Sequence, residues 1–356
     1  MILDNQQIYK KYDKGQVAKS IEQLPDQIRQ VLDDSTLVKI PYEFSRVKNV
    51  VINGMGGSNL GARILKAVFS SEIGIPINIV PGYFVPAYVK SDTLYIMSSY
   101  SGQTEETLAV YKEARKRKAK IMAITSKGKG QLEKIMVRDN IPGYVFRPEQ
   151  NPSRQPRLGV GYSIFGLMVL LAKTGIYKMQ ASEIKDIIAK MMVKNKELRP
   201  ESPSSQNAAK RIAEHLHGKI PILVGAEFLT GNLHAMRNQF CETSKNFADY
   251  LTLPELNHYA MEGLTYPKNG AKPLIFIFFD SNLYHPRVQK RSELTKEVIK
   301  KNKIKVVSYK LSGKSKVEQS FKLLQLGSWI TFYLGILNKV NPVEVPWVDW
   351  FKKKLK

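Results

Sequence analysis

At 356 residues the chain is long enough for two domains of ordinary size, each with its own core. Hydrophobic residues at 43% and aromatics at 10% exclude a disordered polymer, and a single cysteine, Cys241, excludes an internal disulfide and points to a reducing, cytoplasmic setting. Lys and Arg number 55 against 31 Asp and Glu, a net charge of +24 that attracts phosphorylated metabolites or nucleic acid; the excess is scattered over 112–120, 287–316 and the tail Lys352, Lys353, Lys354 and Lys356, with no zinc-ligand or aromatic nucleic-acid module, so a basic surface without nucleic-acid binding is expected.

The first residues, Met1-Ile2-Leu3-Asp4-Asn5-Gln6, hold no basic patch leading into an apolar stretch, so no signal peptide is expected. Val17, Ile21, Leu24 and Ile28 recur at helical spacing and predict a helical segment over 1–40. From about residue 48, apolar runs at 50–52, 77–80, 94–97 and 121–124 alternate with helix-like stretches, the pattern of a parallel sheet covered on both faces. The apolar run 158–172 is shorter than the roughly 20 residues of a membrane span, so it reads as a buried core helix and no membrane partner is expected. A helix over 181–198 ends at the Pro/Ser cluster 199–205, a candidate boundary. The pattern then restarts, with a strand at 220–224 before Gly225, a helix over 230–247, and strands at 274–279 and 304–308 around a basic helix. Three parts follow: an N-terminal helical segment 1–40, an α/β domain over 41–199 and another over 200–356.

Two loops carry the chemistry of the first domain. Asn53-Gly54-Met55-Gly56-Gly57-Ser58 follows the run Val50-Val51-Ile52, and Ser98-Ser99-Tyr100-Ser101-Gly102-Gln103-Thr104 follows Leu94-Tyr95-Ile96-Met97. Each reads as a strand entering a tight turn before a helix, where backbone N–H groups and hydroxyls meet the positive end of the helix dipole. A dinucleotide fingerprint fails on spacing, because Asn59 stands where the third glycine is needed. A P-loop fails at Gly313-Lys314-Ser315, since the required upstream glycine is Ser308. A plain turn would explain the glycines but not the three hydroxyls of Ser99, Ser101 and Thr104. Hydroxyls with backbone N–H groups suit the several oxygens of a phosphate monoester.

The pair Gly-Gly-Ser and Ser-x-Ser-Gly-x-Thr-x-Glu-Thr resembles the sugar isomerase (SIS) domain of ketose and aldose phosphate enzymes. The resemblance implies that Gly57, Ser58, Ser99, Ser101 and Thr104 bind the substrate phosphate, with the turn at Gly56-Gly57 letting the sugar approach the backbone. It also implies an α/β fold of two tandem SIS domains, each a flavodoxin-like three-layer sandwich.

Aldose–ketose isomerisation needs a carboxylate base, a cation at the enediolate and an acid/base to open the ring. Of five histidines, His258 alone stands in a polar loop, Pro254-Glu255-Leu256-Asn257-His258, whereas His215, His217, His234 and His285 read mostly as structural. Glu242 lies in Asn238-Gln239-Phe240-Cys241-Glu242-Thr243-Ser244-Lys245. These segments resemble the C-terminal half of the bifunctional phosphoglucose/phosphomannose isomerases, and the resemblance spans nearly the whole chain. By that resemblance Glu242 is the base and Arg157, in Pro156-Arg157, stabilises the enediolate. His258 opens the ring from the neighbouring subunit of a homodimer. Val348-Asp349-Trp350-Phe351-Lys352 resembles the family's closing Ile-Asp-x-Leu-Lys, which pairs Lys352 with His258. The loop departs from the family at Tyr259, where a polar residue such as Asn is expected, and its first acid is delayed to Glu262. No His, Cys or carboxylate group has metal-ligand spacing, so neither metal nor other cofactor is expected. The remaining alternative is a non-catalytic SIS sensor of sugar phosphates. Such proteins usually carry a helix-turn-helix domain, which 1–40 is too short to supply.

Overall fold

A computed structural model describes residues 2–128 and 130–355; Met1 of the N-terminal stretch, Lys129, and Lys356 of the basic tail lie outside the described residues. Contacts divide the chain into two units, Gln23–Met192 and Met1–Glu22 with Val193–Lys356. The N-terminal segment 1–40 is thus shared between units. The later division falls inside the helix Ala181–Leu198 and not at the Pro/Ser cluster. The cluster is built into the second unit by polar contacts: Lys210 Nζ donates to Pro200 O, and Ser204 donates to Asp4 through both N and Oγ.

In the unit Gln23–Met192, strands β1 (Asn49–Asn53), β2 (Ile77–Ile79), β3 (Thr93–Ser99), β4 (Lys120–Ser126) and β5 (Gly143–Phe146) form one parallel sheet in the order β2-β1-β3-β4-β5. Every residue of β3 is buried, as a central strand covered on both faces requires. Side chains alternate between the faces. Val51, Tyr95, Met97, Ile121 and Ala123 pack with Val110, Ala114, Leu132 and Ile135 from the helices after β3 and β4. The helices Gly57–Phe69, Val160–Lys173 and Leu24–Asp34 pack on one another in turn. The apolar run 158–172 becomes the helix Val160–Lys173, buried on nearly all sides, and among the described residues no helix is long and apolar enough to cross a membrane.

The other unit holds β6 (Ile220–Ala226), β7 (Asp249–Leu253), β8 (Leu274–Asp280) and β9 (Lys305–Lys310), all parallel, in the order β7-β6-β8-β9. Its core is the long helix Lys316–Leu337, which packs against the helices Ala208–Leu216, Thr230–Thr243 and Val17–Glu22.

A buried lysine ties the N-terminal residues to this core. Lys210 is 0% exposed, and its Nζ donates to Asp4 Oδ1 at 3.2 Å and to Pro200 O at 2.8 Å. The rings of Tyr9 and Tyr333 lie 5.8 and 5.7 Å from the ammonium. Burial pulls the Lys210 pKa below its ordinary value, against the opposing pull of Asp4. Asp4→Ala removes the only carboxylate bonded to this ammonium among the described residues. The expected loss of stability is about 1–2 kcal/mol, at the lower end for a charged hydrogen bond because Asp4 is itself partly exposed. A urea midpoint measures it; Asp4→Asn, which keeps an accepting oxygen, should lose less.

Candidate functional site

The strand order of the first sheet locates a crevice. The chain passes from β1 outward to β2, then returns to place β3 on the other side of β1. Loops leaving the C-terminal ends of β1 and β3 therefore part in opposite directions, and ligands bind between such loops in open α/β sheets. Both hydroxyl-bearing loops leave from these two strand ends, with Asn53 registered opposite Met97.

Hydrogen bonds stitch the two loops together. Ser98 Oγ donates to Ser58 O at 2.8 Å, and Tyr100 N donates to Ser58 Oγ at 2.8 Å. Ser58 is 6% exposed; its oxygen accepts from the backbone, so its hydroxyl proton remains a donor for an anion. Ser99 is buried, and its Oγ lies 2.7 Å from Thr104 Oγ1, closing the second loop on itself. Ser101 is exposed, its Oγ accepting from Gln103 N. Gly102 has φ +66, and a Cβ there would lie 3.0 Å from Gly130 Cα. The loop is therefore pressed against the turn after β4, and Leu132 N donates to Gly102 O at 2.9 Å. A cavity of 10 Å³ lined by Gly57, Ser58, Ser98, Tyr100 and Pro156 lies beside the loops, room for about one water.

Gly57 also serves a contact within the protein. A Cβ on Gly57 would meet Pro156 Cβ at 2.8 Å and Arg157 N at 2.9 Å, whereas one on Gly56 would face open space. Gly57 thus lets the loop carrying Arg157 sit against the start of the helix Gly57–Phe69. Residues that sequence reasoning missed hold that loop. Asn151 Nδ2 donates to Tyr100 OH at 2.8 Å and to Gln155 O at 3.0 Å, and Ser153 Oγ donates to Asn151 Oδ1 at 2.8 Å. Gln27 Nε2 donates to Gln150 O and Leu158 O, and Gln27 Oε1 accepts from Gly161 N. Burial pushes the Tyr100 hydroxyl up to about 12, against the bond from Asn151, so it stays protonated at neutral pH. Within this frame Arg157 is 1% exposed, its Nη1 donating to Gln155 Oε1 at 2.8 Å. The run Asn151-Pro152-Ser153-Arg154-Gln155-Pro156-Arg157 was the available signal, a polar proline-punctuated stretch abutting a core helix.

The three remaining residues lie on separate elements of the other unit. Glu242 is the penultimate residue of the helix Thr230–Thr243 and is half-buried. That helix stops short of the expected residue 247, because Lys245 takes a left-handed φ of 54. Lys245 Nζ donates to Glu242 O at 2.8 Å and to Asn341 O at 2.9 Å, which ties this helix end to the segment leading into the helix Pro346–Leu355. That last helix carries Lys352 on an exposed surface. His258 is exposed in the turn Glu255–His258 after β7. Two of the other histidines make structural contacts: His285 Nδ1 accepts from Arg287 N at the head of the helix Pro286–Lys301, and His234 Nδ1 lies 3.3 Å from Tyr250 OH. Among the described residues no three His, Cys, Asp or Glu side chains gather as a metal site would require.

Residues 43–135 match the SIS domain family, and residues 205–355 match the bacterial phospho-glucose isomerase C-terminal SIS domain. A protein of Caldicellulosiruptor bescii named bifunctional phosphoglucose/phosphomannose isomerase is 32% identical over 95% of this chain and 98% of its own length. A protein of the same name from Aquifex aeolicus is 29% identical over 89% of this chain and 93% of its own. Among solved structures, a hypothetical protein from Thermus thermophilus superposes with a TM-score of 0.73 at 17% identity, over 98% of this chain and 92% of its own. That likeness concerns the fold alone.

Proposed function

The chain belongs to the bifunctional phosphoglucose/phosphomannose isomerase family, and on that premise we propose that it interconverts glucose 6-phosphate and fructose 6-phosphate, and mannose 6-phosphate and fructose 6-phosphate. The single observation that carries this reading is the pair of stitched loops at the β1/β3 crevice, with Ser58 tied to Tyr100 and Ser99 tied to Thr104. In this reading Gly57, Ser58, Ser99, Ser101 and Thr104 hold the phosphate, and Gly57 also allows the close approach of Arg157. Of the two SIS domains, the first holds the phosphate and the second carries the groups of proton transfer.

His258 and Lys352 open the ring: the C1–O5 bond breaks, O5 gains a proton and the C1 hydroxyl loses one, leaving an aldehyde. The Glu242 carboxylate then takes the C2 proton, and the electron pair moves through C1 onto O1. Arg157 supplies positive charge to the resulting cis-enediolate, a role suited to a buried guanidinium whose field water screens little. Glu242 returns the proton to C1 while the O2 proton passes to O1, giving the ketose. The enzyme acts in the cytoplasm as a homodimer, His258 reaching the site of the neighbouring subunit, and its chemistry calls for no cofactor.

A coupled assay with EDTA present tests the proposal. Glucose 6-phosphate formed from both fructose 6-phosphate and mannose 6-phosphate is the expected result. Turnover of fructose 6-phosphate alone would narrow the substrate range and direct attention to the Tyr259 loop. Thermal stabilisation by both sugars without turnover of either would overturn the enzyme reading in favour of a sensor.

A further inference from the structure

His258 is exposed and stands in a four-residue turn, so its own packing does little to aim its imidazole. The preceding residue, Asn257, is held at both ends of its side-chain amide. Asn257 Nδ2 donates to Thr295 Oγ1 at 2.7 Å, and Asn257 Oδ1 accepts from Arg291 Nη1 at 3.3 Å. A guanidinium can only donate, so the amide oxygen must face Arg291 and the orientation of Asn257 is unambiguous. Thr295 is buried, and its hydroxyl in turn donates to Arg291 O at 2.7 Å. Both partners ride on the helix Pro286–Lys301. That helix is pinned to the C-terminal end of β8: Ser292 Oγ donates to Asp280 Oδ1 at 2.7 Å, and Lys296 Nζ donates to Asp280 Oδ2 at 2.6 Å. Polar contacts therefore run from the end of the inner strand β8 through the helix to the residue beside His258.

We propose that Asn257 and Thr295 are positioning residues for ring opening, fixing His258 through this clamp. The inference rests on the isomerase reading above and assigns the ring-opening role of His258 a structural support. A loosened imidazole would slow the opening of a cyclic sugar, but proton transfer between C1 and C2 by Glu242 would proceed once an open chain is bound. Misplacement by about 1 Å is enough to cost on the order of a hundredfold.

The test compares two ketose phosphates in D2O, reading deuterium incorporation at C1 by NMR. Fructose 6-phosphate must be opened. 5-Deoxyfructose 6-phosphate lacks the C5 hydroxyl that closes the furanose and is already open. Thr295→Val is expected to slow exchange from fructose 6-phosphate about ten- to a hundredfold and to leave the open-chain analogue within about twofold of wild type. Thr295→Ser, which keeps the hydroxyl, should restore the fructose 6-phosphate rate, and Asn257→Ala, at a half-exposed position, should repeat the Thr295→Val pattern if that variant folds poorly. Equal losses on both substrates, or none on either, would overturn the proposal. The reading beneath it fails separately: wild type would exchange neither substrate, or His258→Asn would exchange fructose 6-phosphate at the wild-type rate.

Discussion

Glu242→Gln should reduce turnover of fructose 6-phosphate by about 10²–10⁴-fold, the contribution typical of a positioned general base, and leave the thermal midpoint close to wild type. The substitution keeps shape and volume and removes the negative charge together with the ability to take a proton. The local structure does not depend on the carboxylate for its backbone ties: Lys245 Nζ bonds the carbonyl of Glu242 and that of Asn341, and Asn338 Nδ2 bonds Ser244 O. The helix end should therefore stay where it is. An interaction lost only in the transition state lowers kcat and kcat/KM together while KM holds, so a rise in KM at constant kcat would assign Glu242 to binding. Loss of solvent deuterium exchange at C1 would accompany the loss of turnover. A near-normal rate would remove Glu242 from the role of base.

Some of this architecture was visible in the chain and some was not, for physical reasons. The buried strands β1, β3, β4, β6 and β8 announce themselves because a parallel strand covered on both faces is a continuous apolar run. β5 is short and begins at Gly143, and β7 carries polar and half-buried residues on an edge; neither makes such a run. Periodicity shows that Val17, Ile21, Leu24 and Ile28 are inward but not what they face. The helix breaks at Gln23, and the contacts of the chain divide there as well. The hydroxyl loops were legible because their chemistry is local, with all the groups inside a few consecutive residues. The support of Arg157 was not. Gln27 reaches Leu158 O across 131 positions, and Asn151 reaches Tyr100 across 51; a single sequence carries no sign of such pairings. The Asn257–Thr295 clamp is hidden for the same reason, although Asn257 itself sits in the motif that marks the loop.

Gly57→Ala is expected to cost both activity and stability, and to do so at a distance from any reacting group. The new Cβ would stand 2.8 Å from Pro156 Cβ, 2.9 Å from Pro156 C and 2.9 Å from Arg157 N. Two of these are backbone atoms, which cannot rotate aside as a side chain would. Nor can the loop give way cheaply, since Gln27 holds it at Gln150 and Leu158, and Asn151 holds it at Gln155. Overpacking of this kind costs about 1–3 kcal/mol, a fall of roughly 2–12 °C in the melting temperature for a domain of this size. The displaced segment carries the guanidinium proposed to face the enediolate, so kcat/KM for fructose 6-phosphate should fall about a hundredfold. The double variant Gly57→Ala with Pro156→Gly removes the Cβ contact but not the two backbone contacts, and should recover only part of each loss. Full recovery would show that Pro156 alone sets the approach. An unchanged single variant would show that the helix start and the Arg157 loop move independently, which would sever the proposed link between the phosphate loops and the cation.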